Sequence, residues 1–410
     1  MRILILISRI IGGLVFMFSG FVKGVDPAGF QIKLSDYALA AGFELPASLL
    51  LLAAMILCAA EFIIGVLILT GSFYRTGVWL FFLFMAFFTP LTLILALYNP
   101  VSDCGCFGDA IHLTNWQTFI KNIIIIIPAV ILVSTRKSHL PKRDILHDAI
   151  PVIITLLLFT AFMSFNIRNL PIIDFRPYKI GINIPESMSI PDDAPNAVYD
   201  ITLIYEKEGI QKEFTIDNYP AGDSSWKFID QKSVLVTEGF QPPIKDFHIS
   251  STDGRDMTDQ IIYDKGYTLL MISHNLEKAR EKDLENGFIT GFNAVNEGIS
   301  FYVVTSSAGD VIEKFQNGLQ FTIADGTLLK TIIRSNPGYM LISDGTIVGK
   351  WSPHRLPEHE WFNSLMVSDI IRAGANLRSL LLTALFIIIM TIAFLTAKRY
   401  YCKSDNEKHS

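Results

Sequence analysis

Long apolar runs separated by short polar loops fill the first 165 residues, and one more apolar run lies near the C-terminus. A helix needs about 20 apolar residues to cross a hydrocarbon core of about 30 Å. The runs that reach this length are residues 3–22, 48–70, 76–98, 116–135, 145–165 and 379–397. The pattern therefore predicts a membrane bundle with six transmembrane helices.

The loops between these runs differ in charge. Residues 136–143 contain four Lys or Arg residues and residues 398–403 contain three, whereas residues 99–115 contain none. Cytoplasmic loops carry the excess of basic residues in membrane proteins. We therefore expect both termini in the cytoplasm and residues from about 166 to 378 on the opposite side of the membrane.

Composition agrees with this division. The whole chain is 50% hydrophobic and only 18% charged, which is too apolar for a single soluble globule, whereas residues 170–375 have a soluble composition. The net charge is -5, and no basic stretch is interleaved with aromatic residues. We therefore expect no nucleic acid as a partner. The apolar runs are expected to contact the lipid bilayer.

The soluble part alternates between strand and helix patterns. Residues 166–200 are rich in proline and predict an irregular connection. Apolar and polar residues then alternate on both sides of Glu208-Gly209, which predicts a β-hairpin, and a second hairpin is expected over Asp344-Gly345. Between them, buried-strand patterns flank helices expected near 275–285 and 308–317, which predicts a βαβ unit.

Two of the four cysteines flank one glycine in the segment DCGCFGD, residues 103–109. Outside the cytosol such a pair can stay oxidised. A disulfide between Cys104 and Cys106 closes a very small ring, and strained, exposed disulfides tend to be labile or catalytic. A redox-active pair, a static bridge and a metal site with His112 as third ligand remain alternatives, although two thiolates make a poor metal site.

The residues around this pair shape the turn. Gly105 and Gly108 supply backbone freedom, because glycine adopts positive φ without steric cost. Asp103 and Asp109 bracket the turn with negative charge, which disfavours a thiolate.

Charged residues also occur near or within the apolar runs. Glu61 lies inside the second run and Arg9 inside the first, and we expect them to pair because an unpaired charge in lipid is very unfavourable. A functional carboxylate at Glu61, as in a small-molecule transporter, is the alternative. Lys23 and Asp26 are expected either to anchor the first helix at the interface or to line an outer pocket.

Three segments carry a family resemblance: RIIGGLVFMFSGFVKGVDPAGF (9–30), AEFIIGVLILTGSFYR (60–75) and CGCFG (104–108). They resemble the DoxX/MauE superfamily of four-helix membrane proteins, and CGCFG is closest to the MauE branch, linked to methylamine utilisation. The resemblance covers residues 1–135. It implies a bacterial inner membrane, Cys104 and Cys106 as the catalytic pair with Phe107 in support, an exported client protein, and a membrane quinone as electron acceptor.

A second resemblance concerns residues 246–273, 301–305 and 335–351, which are similar to thioredoxin-like periplasmic domains. Pro337 falls where that family has a cis-proline beside its active site. The C-x-x-C motif of the family is replaced by residues 273–276, Ser-His-Asn-Leu, and no cysteine lies between 107 and 401. The resemblance implies a domain that binds a partner near Pro337 and His274 without exchanging disulfides.

Together these observations predict a helical membrane bundle fused to an α/β thioredoxin-like domain. The predicted segments are a four-helix DoxX/MauE-like domain (1–135), a basic loop and fifth helix (136–165), a linker and hairpin region (166–240), a degenerate thioredoxin-like domain (241–370), a last helix (379–397) and a cytoplasmic tail (398–410). The function expected is thiol oxidation or maturation of an exported partner. The alternative is a membrane assembly factor in which the cysteine pair is a static disulfide.

Overall fold

The computed structural model describes residues 2–101, 104–136, 145–237, 239–316 and 318–356. Asp103, most of the basic loop, the last predicted helix 379–397 and the tail 398–410 lie outside the described residues.

The N-terminal part of the described chain is a helical domain. Its helices are α1 (Arg2–Val25), α2 (Pro27–Ala40), α3 (Ala47–Thr70), α4 (Tyr74–Tyr98), α5 (Asn115–Thr135) and α6 (Ile145–Arg168). Five helices in the described residues are long and apolar enough to cross a membrane: α1, α3, α4, α5 and residues 148–168 of α6. The first five predicted runs are therefore confirmed as membrane-capable helices.

The sequence patterns did not predict α2, which is shorter. It begins at an N-cap formed by Asp26, whose side chain accepts a hydrogen bond from the Gly29 amide.

Helices α1 and α3 pack against each other through glycines. A Cβ atom added at Gly65 would lie 2.5 Å from the backbone nitrogen of Met17, and one added at Gly20 would lie 2.5 Å from the backbone nitrogen of Phe62. Small residues at such a crossing let two membrane helices approach closely, so that their backbones are in contact. This close crossing fixes which residues of the two helices lie at the same level.

Replacing Gly65 with alanine is expected to destabilise the helical domain by about 1–3 kcal/mol, because the added methyl group meets backbone rather than a side chain that could rotate away. The thermal unfolding midpoint of the detergent-solubilised protein measures this. Leu52→Met, at an exposed position of the same helix, is the matched control and should leave the midpoint unchanged. Equal midpoints for G65A and the unmodified protein would contradict the close packing.

A linker with one short helix, α7 (Ile184–Met188), leads to a three-stranded antiparallel sheet, which we call the sheet arm (residues 198–237). Its strands are β1 (Val198–Lys207), β2 (Ile210–Thr215) and β3 (Lys227–Thr237), in the order β2-β1-β3. Glu208 and Gly209 form the first turn with positive φ angles of 53° and 80°, as tight hairpin turns require. The predicted hairpin is confirmed; the third strand was not predicted.

The remaining described residues form the sheet domain (residues 241–356). Its elements are β4 (Ser250–Ser251), α8 (Thr258–Ile262), β5 (Tyr267–Ser273), α9 (Glu281–Asn296), β6 (Ser300–Thr305), α10 (Gly309–Phe315), β7 (Phe321–Ile323), α11 (Gly326–Ile332), β8 (Gly338–Ser343) and β9 (Thr346–Trp351). The strands form one sheet in the order β4-β7-β6-β5-β8-β9. Strands β5, β6 and β7 run parallel and the remaining pairs are antiparallel.

This topology confirms the predicted βαβ unit and the closing hairpin over Asp344-Gly345. Strand β5 is buried on both faces, since Leu269 and Leu270 belong to the two separate apolar cores on either side of the sheet. The helix predicted near 275–285 is misplaced: it begins at Glu281. Residues 275–280 form turns instead, because the Asn275 side chain accepts a hydrogen bond from the Lys278 amide and so competes with helix formation.

Candidate thiol site and membrane cavity

The loop between α4 and α5 brings the cysteine pair together. The Sγ atoms of Cys104 and Cys106 lie close enough to form a disulfide, and their Cα atoms are 5.4 Å apart. Gly105 and Gly108 adopt positive φ angles of 62° and 53°, which explains why glycine occupies both positions. The Tyr37 hydroxyl of α2 donates a hydrogen bond of 2.9 Å to the Cys104 carbonyl and ties the loop to the helical domain.

A buried ion pair lies beside this loop. Lys23 Nζ is 2.5 Å from Glu61 Oε1, and both side chains are almost fully buried. The Ser19 hydroxyl lies 2.8 Å from Glu61 Oε2 and 2.8 Å from the Cys106 carbonyl oxygen. A hydroxyl donates one hydrogen at a time, so Ser19 links the carboxylate and the cysteine loop as alternative acceptors.

The predicted pairing of Glu61 with Arg9 is therefore wrong. Arg9 donates hydrogen bonds to the carbonyls of Ile68 and Leu69, near the end of α3. Along α1, Arg9 precedes Lys23 by 14 residues, or about 21 Å at 1.5 Å per residue. Glu61 instead contacts Lys23, because the close crossing of α1 and α3 places these two residues at the same level. The sequence predicted Lys23 either as an anchor of the first helix at the interface or as part of the lining of an outer pocket.

A cavity of about 800 Å³ lies next to both cysteines and is bounded by residues from α1 to α5. Its wall is mainly aromatic and aliphatic, with Phe84, Phe88 and Leu91 among its members. The volume is within the range of about 300–1,000 Å³ that small-molecule sites occupy. The cysteine pair thus faces a space large enough for an organic ligand.

Several polar side chains also line this cavity, including the Lys23–Glu61 pair. Lys121 of α5 is one of them, and its ammonium lies 4.6 Å from the centre of the Phe107 ring. Within the part of the chain that the structure describes, no carboxylate pairs with Lys121 and no hydrogen-bond acceptor contacts it. Asn122, beside it, donates a hydrogen bond of 3.1 Å to the Thr92 hydroxyl.

An arginine of the sheet domain contacts the cysteine loop. Arg334 donates to Asp26 Oδ2 at 2.7 Å and to Asp109 Oδ2 at 2.9 Å, and its side chain is only 13% exposed. The two carboxylates raise the pKa of Arg334, although burial acts in the opposite direction. We call this three-residue contact the Arg334 clamp; it fastens the sheet domain to the loop that carries the cysteines.

The linker adds a second attachment. Lys350 Nζ donates to Asp174 Oδ2 at 2.7 Å and to the Tyr178 carbonyl at 2.8 Å. Burial, assisted by the nearby Arg176 guanidinium, lowers the pKa of Lys350 to about 7. The linker is thus held against strand β9.

The positions that replace C-x-x-C are held by hydrogen bonds. Ser273 donates to Asn336 Oδ1 at 2.8 Å, and Asn336 donates to the Asn275 carbonyl at 2.7 Å. Pro337 follows a cis peptide bond and is buried. Burial, assisted by Lys330 and Lys278, lowers the pKa of His274 to about 4. Partner binding near Pro337 and His274 stays a prediction.

Sequence reasoning did not identify Ser19, Tyr37, Lys121 or Arg334. A signal existed for Lys121, since it is a charged residue within a membrane-capable helix. No local signal marks Arg334, because its partners lie more than 200 positions earlier in the chain.

The helices, the cavity and the sheet domain define a multi-pass membrane protein with a β-sheet-containing C-terminal domain. Residues 1–135, about a third of the chain, match the family model of the methylamine utilisation protein MauE. Residues 199–238, which correspond to the sheet arm, match a domain of unknown function, DUF8463. Neither a curated protein nor a solved structure matches the chain.

Proposed function

We propose that this chain is a MauE-like protein of the bacterial inner membrane that takes part in the disulfide chemistry of an exported client through Cys104 and Cys106. The observation that carries the proposal is the position of the cysteine pair: it lines the membrane cavity and lies in a loop between two membrane-capable helices. The family match supports the MauE-like part of the proposal, since residues 1–135 match the model of the methylamine utilisation protein MauE.

The proposed exchange starts from the oxidised pair. A client thiolate attacks one sulfur of the Cys104–Cys106 disulfide and forms a mixed disulfide, which a second client thiolate then resolves. The client gains one disulfide and loses two thiol protons, while Cys104 and Cys106 each gain a proton. The chain must then lose two electrons to another acceptor before the next cycle.

The sheet domain is proposed as the part that holds the client. The order of β5, β6, β8 and β9 around the βαβ unit supports a thioredoxin-like assignment. Because it has no cysteine, it acts by binding rather than by exchange. The proposed topology has both termini in the cytoplasm and the sheet domain in the periplasm, on the basis of loop charge.

A second candidate function is a membrane assembly factor in which Cys104–Cys106 is a static disulfide. The Arg334 clamp favours this reading, because the sheet domain already rests on the cysteine loop and Cys104 is only 9% exposed. In that case the disulfide stabilises the loop that carries the docked domain.

Trapping the thiols of native membranes with acid and a maleimide mass tag distinguishes the two functions. For a working redox pair, we expect a mixed population of Cys104 and Cys106 that interconverts reversibly when the thiol–disulfide potential is varied. A pair that stays fully oxidised, or fully reduced, throughout the titration would contradict the redox proposal. The variant C104S/C106S calibrates the mass shift, and buried Cys58 provides an internal reference thiol.

A further inference from the structure

Strand β3 forms one edge of the sheet arm. The strand order is β2-β1-β3, so one side of β3 pairs with β1, and among the described residues no strand pairs with its other side. The strand is 11 residues long, which is longer than most strands of globular proteins. An edge of this length leaves a row of backbone amide and carbonyl groups available to a strand of another molecule.

The composition of β3 favours such pairing. Its exposed apolar residues lie along the whole strand and are Phe228, Ile229, Val234 and Val236. Aromatic and β-branched residues of this kind are enriched in strands. Natural sheets protect a free edge with proline, with charged residues or with very short strands. Strand β3 contains no proline, and its charged residues are Lys227, Asp230 and Lys232.

These charges select a partner strand. When two strands pair antiparallel, opposite charges that face each other stabilise the pair and like charges destabilise it. In two copies of β3, a register centred on Gln231 places Asp230 of each copy opposite Lys232 of the other. Both residues are exposed, and they lie on the same face of the sheet because they are two positions apart. Ile229, which has no partner on β1, lies outside these three central pairs.

Other registers do not share this property. A pair centred on Asp230 or on Lys232 brings two like charges directly opposite each other. A register that sets Lys227 against Asp230 also pairs opposite charges, but it overlaps only the start of the strand. The register centred on Gln231 overlaps residues 227–235. The strand is therefore complementary to a second copy of itself in one extended register.

We propose that two copies of this chain pair antiparallel through the outer edge of β3, centred on Gln231, so that their three-stranded sheets join into one. The interface has a two-fold axis, and each contact therefore occurs twice. Within its own arm, Lys232 Nζ lies 2.7 Å from Glu213 Oε1. Because an ammonium has three hydrogens, Lys232 can keep this contact while it pairs with Asp230 of the second copy. The pairing does not depend on the chemistry proposed for the cysteines.

The test is cross-linking in native membranes with the full-length protein in a Cys402→Ser background. Gln231→Cys places one thiol of each copy at the two-fold axis, and a short bismaleimide should join the two copies. Gln211→Cys, on the opposite edge strand β2, is the matched control and should not form a dimer. The Cys402→Ser protein without an added cysteine sets the background. Equal cross-linking at the two positions would indicate random collision and overturn the pairing.

Charge reversal tests the register. In the Gln231→Cys protein, Asp230→Lys or Lys232→Asp alone should lower the ratio of dimer to monomer about tenfold, because each reversal creates two like-charge contacts across the axis. Co-expression of the two variants with different tags should restore dimers that carry both tags, since every lysine then faces an aspartate. Lys212→Asp, on β2, should leave the ratio unchanged.

The thermal unfolding midpoint of each purified variant shows whether it is folded; all the substituted positions of the arm are exposed. Three results from folded variants would overturn the proposal. These are the absence of a dimer with Gln231→Cys, a dimer ratio that the single reversals leave unchanged, and doubly tagged dimers no more abundant than dimers of either reversal alone. Cross-linking of Gln231→Cys to a different protein instead of to itself would also overturn it and would assign the edge to a strand of that protein.

Discussion

Replacing Lys23 with methionine is expected to destabilise the helical domain by about 3–5 kcal/mol, because Glu61 would keep a buried charge without its ammonium partner. The Ser19 hydroxyl alone cannot replace that partner, since it also contacts the Cys106 carbonyl. The free energy of unfolding, or the yield of folded protein from membranes, measures the effect.

The double variant Lys23→Met/Glu61→Gln is the control for this experiment. Removing both charges avoids the uncompensated carboxylate, so the double variant should recover most of the lost stability. If K23M alone were as stable as the unmodified protein, the ion pair would not be buried as described. If the double variant were no better than K23M, the loss would come from packing rather than charge.

Replacing Arg334 with methionine should expose the cysteine loop to water-soluble reagents. The change leaves Asp26 and Asp109 without their shared guanidinium and removes two charge-assisted hydrogen bonds, each contributing about 1.5–3 kcal/mol. Since 1.4 kcal/mol corresponds to a tenfold change in an equilibrium, we expect a membrane-impermeant phosphine to reduce Cys104–Cys106 at least about tenfold faster.

The matched control is Arg255→Met, which removes an exposed arginine paired with Asp253 within the same domain. Exposed pairs contribute little, so the reduction rate should stay unchanged. Arg334→Lys should give an intermediate rate, because a lysine keeps the charge but loses the two-pronged geometry. Equal rates for R334M and the unmodified protein would show that the clamp does not limit access to the disulfide.

Sequence patterns correctly predicted the helices and strands that are determined by residues close together in the chain. The membrane-capable helices follow from uninterrupted apolar runs, and the first hairpin follows from alternation around Glu208-Gly209. The start of helix α9 was predicted too early, near residue 275. The cause is also local: the Asn275 side chain accepts a hydrogen bond from the Lys278 amide, which the alternation of apolar and polar residues does not reveal.

Contacts between distant segments could not be derived in the same way. The partner of Glu61 depends on the level at which Gly20 and Gly65 bring α1 and α3 together, and depth counted from the ends of a helix does not contain that information. The Arg334 clamp depends on how the sheet domain rests on the helices. The cysteine pair was recognisable from sequence, but the cavity that it faces required the packed helices.

The sheet arm begins and ends at nearly the same point in space. The Phe240 amide donates a hydrogen bond of 2.8 Å to the Pro195 carbonyl, so the two segments that connect the arm to the rest of the chain lie side by side. An insertion with adjoining ends can be gained, lost or exchanged during evolution without changing the path of the flanking chain. The separate family match of residues 199–238 agrees with the arm being a structural unit of its own.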